Sequence, residues 1–169
     1  SKGDHANEVL VTRDSTIRRV QAFAVDPADS KKLYAVISID QKNGFYTSAD
    51  GGSNWIKETD MTVTAGNIFI APSSPQNKRT VYIATGDGIL TNENGSWEMN
   101  AQPAGVKKIT TCTGGYDSAQ QRFIIYAIAG RSYFNPDDDE SGIYFTNDGG
   151  KTWQNRQEGI ISQQSAEAG

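Results

Sequence analysis

The sequence predicts an all-β fold built from about three repeated, four-stranded antiparallel units. Short runs rich in β-branched and aromatic residues alternate with turn residues, including 17 glycines against 5 prolines. No stretch shows the 3.6-residue apolar period of an amphipathic helix. A segment that ends in tryptophan recurs, with Trp55, Trp97 and Trp153 placed 42 and then 56 residues apart. That period accommodates four short strands per unit.

Each unit is expected to contain the same four strands in the same order. The inner strands are expected at about 20–26, 67–71 and 106–112, the second strands at 32–38, 80–85 and 122–129, the third at 44–48, 88–91 and 142–146, and the outer at 55–59, 97–100 and 153–156. Units of this kind form the blades of a β-propeller. We expect blades at about 18–60, 66–101 and 105–158, a strand of an adjacent or closing blade within 1–17, and a flexible tail at 159–169.

Three blades do not complete a ring, because propellers close with about four to eight blades. An open ring leaves sheet faces and edges uncovered. The three blades are therefore expected to belong to a larger, six- to eight-bladed propeller. The remaining blades would come from the same protein or from a second copy of this chain.

A hairpin motif follows the third strand of each unit, with the pattern Ser/Thr-x-Asp-x-Gly-x-x-Trp. It is complete at 48–55 and 146–153 and degenerate at 91–97. The residues assigned to it are Ser48, Asp50, Gly52 and Trp55, then Thr91, Glu93, Gly95 and Trp97, then Thr146, Asp148, Gly150 and Trp153. The carboxylate can accept backbone N–H groups across the turn, the glycine permits positive φ, and the indole covers the turn. A calcium loop would need more oxygen ligands, so a structural role is favoured.

Composition excludes several classes of function. The net charge of −4 argues against a general affinity for nucleic acid. A single cysteine, Cys112, excludes an internal disulfide and a multi-cysteine zinc site. The longest apolar run, 123–129, is far shorter than the ~20 residues of a membrane helix. The sole histidine, His5, lies in a terminus expected to be disordered, which argues against a serine–histidine triad.

The hairpin motifs, with Asp26-Pro27, 33–35 and 44–48, resemble the Asp-box (BNR-repeat) propellers over about residues 18–158. That family includes sialidases, xyloglucanases, sortilin-type receptors and photosystem assembly factors, and the likeness is greatest to the xyloglucanase and sortilin side. The resemblance implies a secreted, periplasmic or cell-surface protein. It also implies that ligands bind on the face opposite the Asp boxes, which here comprises 39–43, 60–66, 86–87, 101–105 and 130–141.

The longest of these segments, 130–141, holds most of the candidate binding residues. Arg131 could pair with a carboxylate, and Tyr133 or Phe134 could stack on a sugar ring. The acidic run Asp137, Asp138, Asp139 and Glu140 could hold calcium or supply a catalytic acid. The alternative is a solvated, charged loop. No other metal or cofactor is expected.

Asp40 is the one candidate for a catalytic residue. Xyloglucanase-like enzymes place a catalytic aspartate in such a turn, before a pair of glycines that Asp40 lacks. Glycoside hydrolysis needs a second carboxylate, which would lie in other blades. Asp87 is interpreted as a turn residue.

Three functions remain open. The first is a non-catalytic module that binds a glycan or a protein, or acts as a scaffold, in an extracytoplasmic, glycan-related protein. The second is part of a sialidase- or xyloglucanase-like glycoside hydrolase. The third is a protein-binding assembly factor or receptor ectodomain.

Overall fold

The computed structural model describes residues 18–130 and 142–156, and every regular element in these ranges is a β-strand. The strands are β1 Arg18–Asp26, β2 Asp29–Ile39, β3 Lys42–Ser48, β4 Ile56–Met61, β5 Ala65–Ile70, β6 Val81–Thr85, β7 Gly88–Thr91, β8 Glu98–Ala101, β9 Ile109–Asp117, β10 Arg122–Ala129, β11 Gly142–Thr146 and β12 Gln154–Asn155. They form three four-stranded antiparallel sheets, β1–β4, β5–β8 and β9–β12, in each of which neighbours in sequence are neighbours in space. The all-β fold of three four-stranded blades is thereby confirmed.

The blades pack face to face, with the inner strands β1, β5 and β9 side by side. The core lies between the sheets. One apolar cluster joins the first blade to the second through residues such as Val36, Phe45 and Ile83. A second cluster joins the second blade to the third through residues such as Tyr82, Ile89 and Ile125. The middle blade is therefore apolar on both faces, which explains why β6 is buried along its whole length.

A β-bulge occurs at the same register in every blade. One extra residue interrupts the pairing of the inner and second strands at Gln21, Gly66 and Thr110. At Gly66 a Cβ atom would collide with the carbonyl oxygen of Thr110, so the inner strands of the second and third blades approach closely only because residue 66 is glycine.

The third blade differs from the sequence expectation in its inner strand. The repeat alignment puts this strand at 106–112, whereas β9 runs from Ile109 to Asp117. Val106 lies instead in the preceding connection, where its N–H donates to the carbonyl of Pro103. The long hairpin of β9 and β10 turns at Asp117, whose carboxylate accepts the N–H groups of Ala119 and Gln120. That local cap ends the strand and sets its register.

A buried ion pair links the first two blades. Arg79 donates two hydrogen bonds of 2.7 Å to the carboxylate of Asp26, and both side chains are almost fully buried. The hydroxyl of Tyr34 donates a third, at 2.9 Å. Hydrogen bonds from Arg79 hold the pKa of Asp26 well below its usual range, against the opposing effect of burial. The same guanidinium donates to the carbonyl groups of Pro72 and Ser74, so it also fixes the β5–β6 loop.

In the part of the chain that the structure describes, the second junction has no equivalent of this pair. Strand pairing places Tyr82 where Tyr34 stands in the first blade and Ala71 after β5 where Asp26 stands at the end of β1. The Tyr82 hydroxyl is buried and has no hydrogen-bond partner among the described residues. Burial, with the nearby Glu93 carboxylate, raises the pKa of Tyr82.

Replacing Asp26 with asparagine is expected to lower the free energy of unfolding at pH 7 by about 3–5 kcal/mol, because Arg79 would keep a buried, uncompensated charge. The folded-state pKa of Asp26 is depressed, so its contribution is present above the unfolded value of about 3.9 and is lost as the pH falls through the folded pKa. The difference between wild type and variant should therefore shrink below about pH 4. Urea unfolding between pH 7 and pH 2 measures it. A constant difference would contradict the assignment.

The two equivalent tyrosines give a matched pair of variants. Tyr34→Phe removes a hydroxyl that donates to Asp26 and should cost about 1–2 kcal/mol, whereas Tyr82→Phe removes an unpaired buried hydroxyl and should be neutral or stabilise by about 1 kcal/mol. Thermal unfolding of the two variants provides the comparison. Equal losses would show that the Tyr82 hydroxyl has a partner.

Candidate functional site

Connections between the strands alternate between the two edges of each antiparallel sheet. The hairpins that carry the Ser/Thr-x-Asp-x-Gly-x-x-Trp pattern or its degenerate form, which we call Asp boxes for that pattern, join β3 to β4, β7 to β8 and β11 to β12, and all three lie at one edge. The segments 40–41, 62–64, 86–87 and 102–108 lie at the other edge, which we call the loop edge. Strand β10 ends and strand β11 begins at the same edge. The topology thus brings together the segments at which the resemblance places ligand contacts.

In the first Asp box, the turn is held by hydrogen bonds between residues that are close in sequence. The Asp50 carboxylate accepts the hydroxyl of Ser48 at 2.9 Å, and the backbone and side-chain amides of Asn54 at 2.9 and 2.6 Å. Ser48 Oγ in turn accepts the N–H of Gly52 at 2.9 Å, and φ is +74° at Gly51 and +91° at Gly52. The bonds from Asn54, followed by that from Ser48, lower the pKa of Asp50 to about 2. This carboxylate caps a turn.

The third Asp box repeats the arrangement. Thr146 donates to Asp148 at 2.7 Å, and its hydroxyl accepts the N–H of Gly150 at 3.0 Å. Burial would raise the pKa of Asp148, but the hydroxyl and N–H of Thr152, together with Thr146, outweigh it and lower the pKa. Trp153 reaches further, because its indole N–H donates to the carbonyl of Ala101 in the preceding blade at 2.9 Å.

The middle hairpin has a different construction. Thr91 pairs with Tyr82 as Thr47 pairs with Tyr34, so Asn92 occupies the position that Ser48 has in the first box. The Asn92 side chain bonds the N–H of Val81 and the carbonyl of Arg79. The carboxylate of Glu93 lies near Gly149 of the third blade and near the Tyr82 hydroxyl, and its backbone N–H donates to the hydroxyl of Thr91.

Two further residues of the middle hairpin keep a role in local geometry. Gly95 has φ +87° and its N–H donates to the carbonyl of Asn92. Trp97 packs edge-on against Phe45 of the first blade, with ring centroids 5.0 Å apart. The middle hairpin therefore contacts both neighbouring blades.

At the loop edge, Asp40 and Gln41 form the two-residue turn between β2 and β3. Both have positive φ, 48° and 65°, and both side chains are exposed. Two successive left-handed residues define a type I′ turn, whose second position normally requires glycine. Backbone strain of this kind is concentrated at functional sites. Asp40, the proposed catalytic candidate, thus lies on the strained turn of this edge.

Asp87 occupies the corresponding turn of the second blade. Its N–H donates to the hydroxyl of Thr85 and its carbonyl accepts the N–H of Gln102, both at 3.2 Å. The following residue, Gly88, has φ +140°, and a Cβ there would collide with the carbonyl oxygen of Asn100. The backbone of Asp87 therefore holds two connections together, while its side chain is exposed.

A network of side-chain amides, absent from the sequence prediction, fixes the loop edge between the first two blades. Gln21 donates to Asn43 at 2.6 Å and accepts the N–H of Ala65 at 2.8 Å, and Asn43 donates to the carbonyl of Val63 at 3.0 Å. The next junction uses Asn67, which bonds both the N–H and the carbonyl of Cys112. The sequence feature that could have indicated this network is a single Gln or Asn within a strand that is otherwise mostly apolar.

The residues expected to contact ligand in the longest loop lie outside the described ranges. These are Arg131, Tyr133, Phe134, Asp137, Asp138, Asp139 and Glu140. The described loop-edge connections carry polar, aliphatic and proline residues, and none of them carries an aromatic side chain. Within 18–130 and 142–156 no three His, Cys, Asp or Glu side chains are placed to hold a metal ion. No helix in those ranges is long and apolar enough to span a membrane.

Gln41→Gly should raise the free energy of unfolding by about 0.5–1 kcal/mol, because glycine adopts positive φ without steric cost. Urea unfolding measures the gain, and Lys42→Gly at the next position, in the strand, is the matched control that should lose stability. A loss in the Gln41 variant would show that this side chain makes a stabilising contact.

No protein-family model matches this chain. It is 36% identical to a xyloglucanase of Paenibacillus sp. over 63 residues, a match that covers 37% of this chain and 6% of the relative. Among solved structures, the GH74 xyloglucanase of Xanthomonas campestris aligns with a TM-score of 0.49 and 17% identity, over 80% of this chain and 21% of that one. The chain therefore spans a small part of each protein it is similar to.

Proposed function

We propose that this chain is a binding or scaffolding module of an extracytoplasmic, glycan-related protein, and that ligand binds at the loop edge. The observation that carries the proposal is that the three described carboxylates with a lowered pKa are all bound by structural partners. Asp50 and Asp148 cap hairpins at the opposite edge, and Asp26 is bound by Arg79 between blades. The similarity to a xyloglucanase supports a glycan as the ligand.

The loop edge suits binding because its frame is rigid and its turns are exposed. The Gln21, Asn43 and Ala65 contacts hold the connections of the first two blades in place, and the side chains of Asp40, Gln41 and Asp87 remain free to meet solvent. Polar groups on a rigid scaffold are the usual determinants of ligand orientation.

Stacking on a sugar ring requires an aromatic side chain, and the described loop-edge connections have none. We therefore assign stacking to Tyr133 or Phe134 in the 130–141 loop, with Arg131 and the acidic run 137–140 as polar contacts. A calcium ion bound by that acidic run is a further way of holding the ligand, and a chelator would abolish binding of this kind.

Xyloglucan oligosaccharide is the probe of choice. Tyr133→Ala and Phe134→Ala should each weaken binding by about tenfold or more, in line with the loss of an aromatic contact. Isothermal titration with and without chelator measures the affinity. Tyr116→Ala is the matched control, because Tyr116 is an exposed tyrosine of the same blade at the end of β9 away from the loop edge. Equal losses in all three variants, or no binding by wild type, would contradict the proposal.

The second candidate function is that this chain is part of a glycoside hydrolase, which the similarity to a xyloglucanase favours. In that case Asp40 would act with a carboxylate from another blade. Release of reducing sugar in the same mixtures separates the two candidates, since a binding module takes up the oligosaccharide without cleaving it. A chain that binds protein instead, as an assembly factor or receptor ectodomain does, would show neither binding nor cleavage.

A further inference from the structure

Each blade presents two different faces, which strand pairing makes comparable from blade to blade. The forward face packs on the next blade along the chain and carries Tyr34 and Val36, Tyr82 and Ala84, and Tyr126 and Ile128 in the three blades. The rear face packs on the preceding blade and carries Phe23 and Val25, Ile68 and Ile70, and Cys112 and Gly114. Forward-to-rear contact thus occurs twice within the chain.

At the two ends of the stack, the positions equivalent to these contact residues carry apolar side chains that are exposed. Phe23 and Val25 on the first rear face are 51% and 47% exposed, whereas their counterparts Ile68 and Ile70 are 7% and 5% exposed. On the last forward face Tyr126 and Ile128 are 44% and 47% exposed, whereas Tyr82 and Ala84 in the middle blade are fully buried. The two ends therefore carry the residue types of an inter-blade contact, and no other described blade packs on them.

The tryptophan of each hairpin belongs to the rear face. Trp97 packs on Phe45 of the preceding blade, and Trp153 donates to Ala101 of the preceding blade. Trp55 has no preceding blade within the described residues, and its indole N–H donates to Gly52 in its own turn at 3.1 Å. The first rear face thus offers an indole whose counterparts each contact a neighbouring blade.

An open, mostly apolar groove of about 380 Å³ lies on the last forward face. It is lined by Thr111, Thr113, Tyr126, Ile128, Ile143 and Arg156, among others. Ile143 pairs with Ile128 as Phe45 pairs with Val36, so it stands where Phe45 receives Trp97. The groove is therefore at the position that receives a tryptophan from a following blade.

We propose that the rear face of the first blade docks on the forward face of the third blade of a second copy of this chain. The reciprocal contact then closes a ring of six blades from two copies. A second copy is the occupant because the two exposed ends are the complementary halves of a contact that the chain already makes twice. The interface is heterologous because it joins unlike surfaces. The ring closes only if the rotations between successive blades add up to one full turn. This proposal does not rest on the glycan-binding function.

Light scattering across a dilution series tests the proposal. Wild type is expected at twice 18.3 kDa, dissociating on dilution. Phe23→Glu and Ile128→Glu each place a charge in an apolar contact and should raise the dissociation constant by about a hundredfold. A mixture of the two variants should associate one to one, because each supplies the intact face that the other lacks.

Met99→Glu is the control, since it changes an exposed apolar side chain of the middle blade. It should dimerise like wild type. Circular dichroism checks folding, and Phe23→Ser with Ile128→Ser replaces the pair if either glutamate variant is unfolded. Wild type at 18.3 kDa at every concentration, with or without oligosaccharide, would overturn the proposal, as would a mass that grows without limit. Loss of dimer in only one of the two variants, or a mixture that stays monomeric, would overturn the forward-to-rear pairing.

Discussion

The rest of the structure depends on one constraint, which is that a four-stranded sheet with two apolar faces must be covered on both. Such a sheet is unstable alone, because its burial of apolar area is too small to offset the entropy of ordering the chain. Each blade in this protein therefore derives much of its core from its neighbour. The two clusters between the sheets hold most of the buried apolar side chains, so the junctions between blades, rather than the blades themselves, are the units of stability.

The carboxylates of the Asp boxes contribute a different kind of order, because their hydrogen bonds are local. Asp50 and Asp148 bond groups within four residues of themselves, so each hairpin forms without help from the next blade. This separation of tasks explains why the middle hairpin tolerates a changed motif. Asn92 and the packing of Trp97 hold that hairpin through contacts outside the turn.

Sequence reasoning predicted what depends on local pattern and missed what depends on pairing between distant residues. The strands, their order and the hairpin motifs follow from β-branched runs, turn residues and the repeat. The recurring bulge could not be predicted, because Gln21, Gly66 and Thr110 share no side-chain property. The start of β9 was misplaced because the repeat alignment matched Val106 to an inner strand, whereas a turn from Pro103 delays the strand.

The same limit applies to the candidate site. The resemblance implied that ligands bind opposite the Asp boxes, and the alternation of hairpin connections identified the segments at that edge. The left-handed turn at Asp40 and Gln41 could not be predicted, since aspartate tolerates positive φ but glutamine does not favour it. Asp26 and Arg79 lie 53 residues apart, and no period relates them, so their ion pair appears only in the structure.

The two junctions differ in chemistry, and this has a consequence for cooperativity. The first contains a buried ion pair with a tyrosine hydroxyl bound to it, and the second contains a buried tyrosine hydroxyl that has no hydrogen-bond partner within 18–130 and 142–156. A linear stack behaves as a chain of nearest-neighbour couplings, so it opens at its weakest link. Loss of the Asp26–Arg79 pair would therefore loosen the first junction and leave intact the second, which is held by bonds such as those between Asn67 and Cys112.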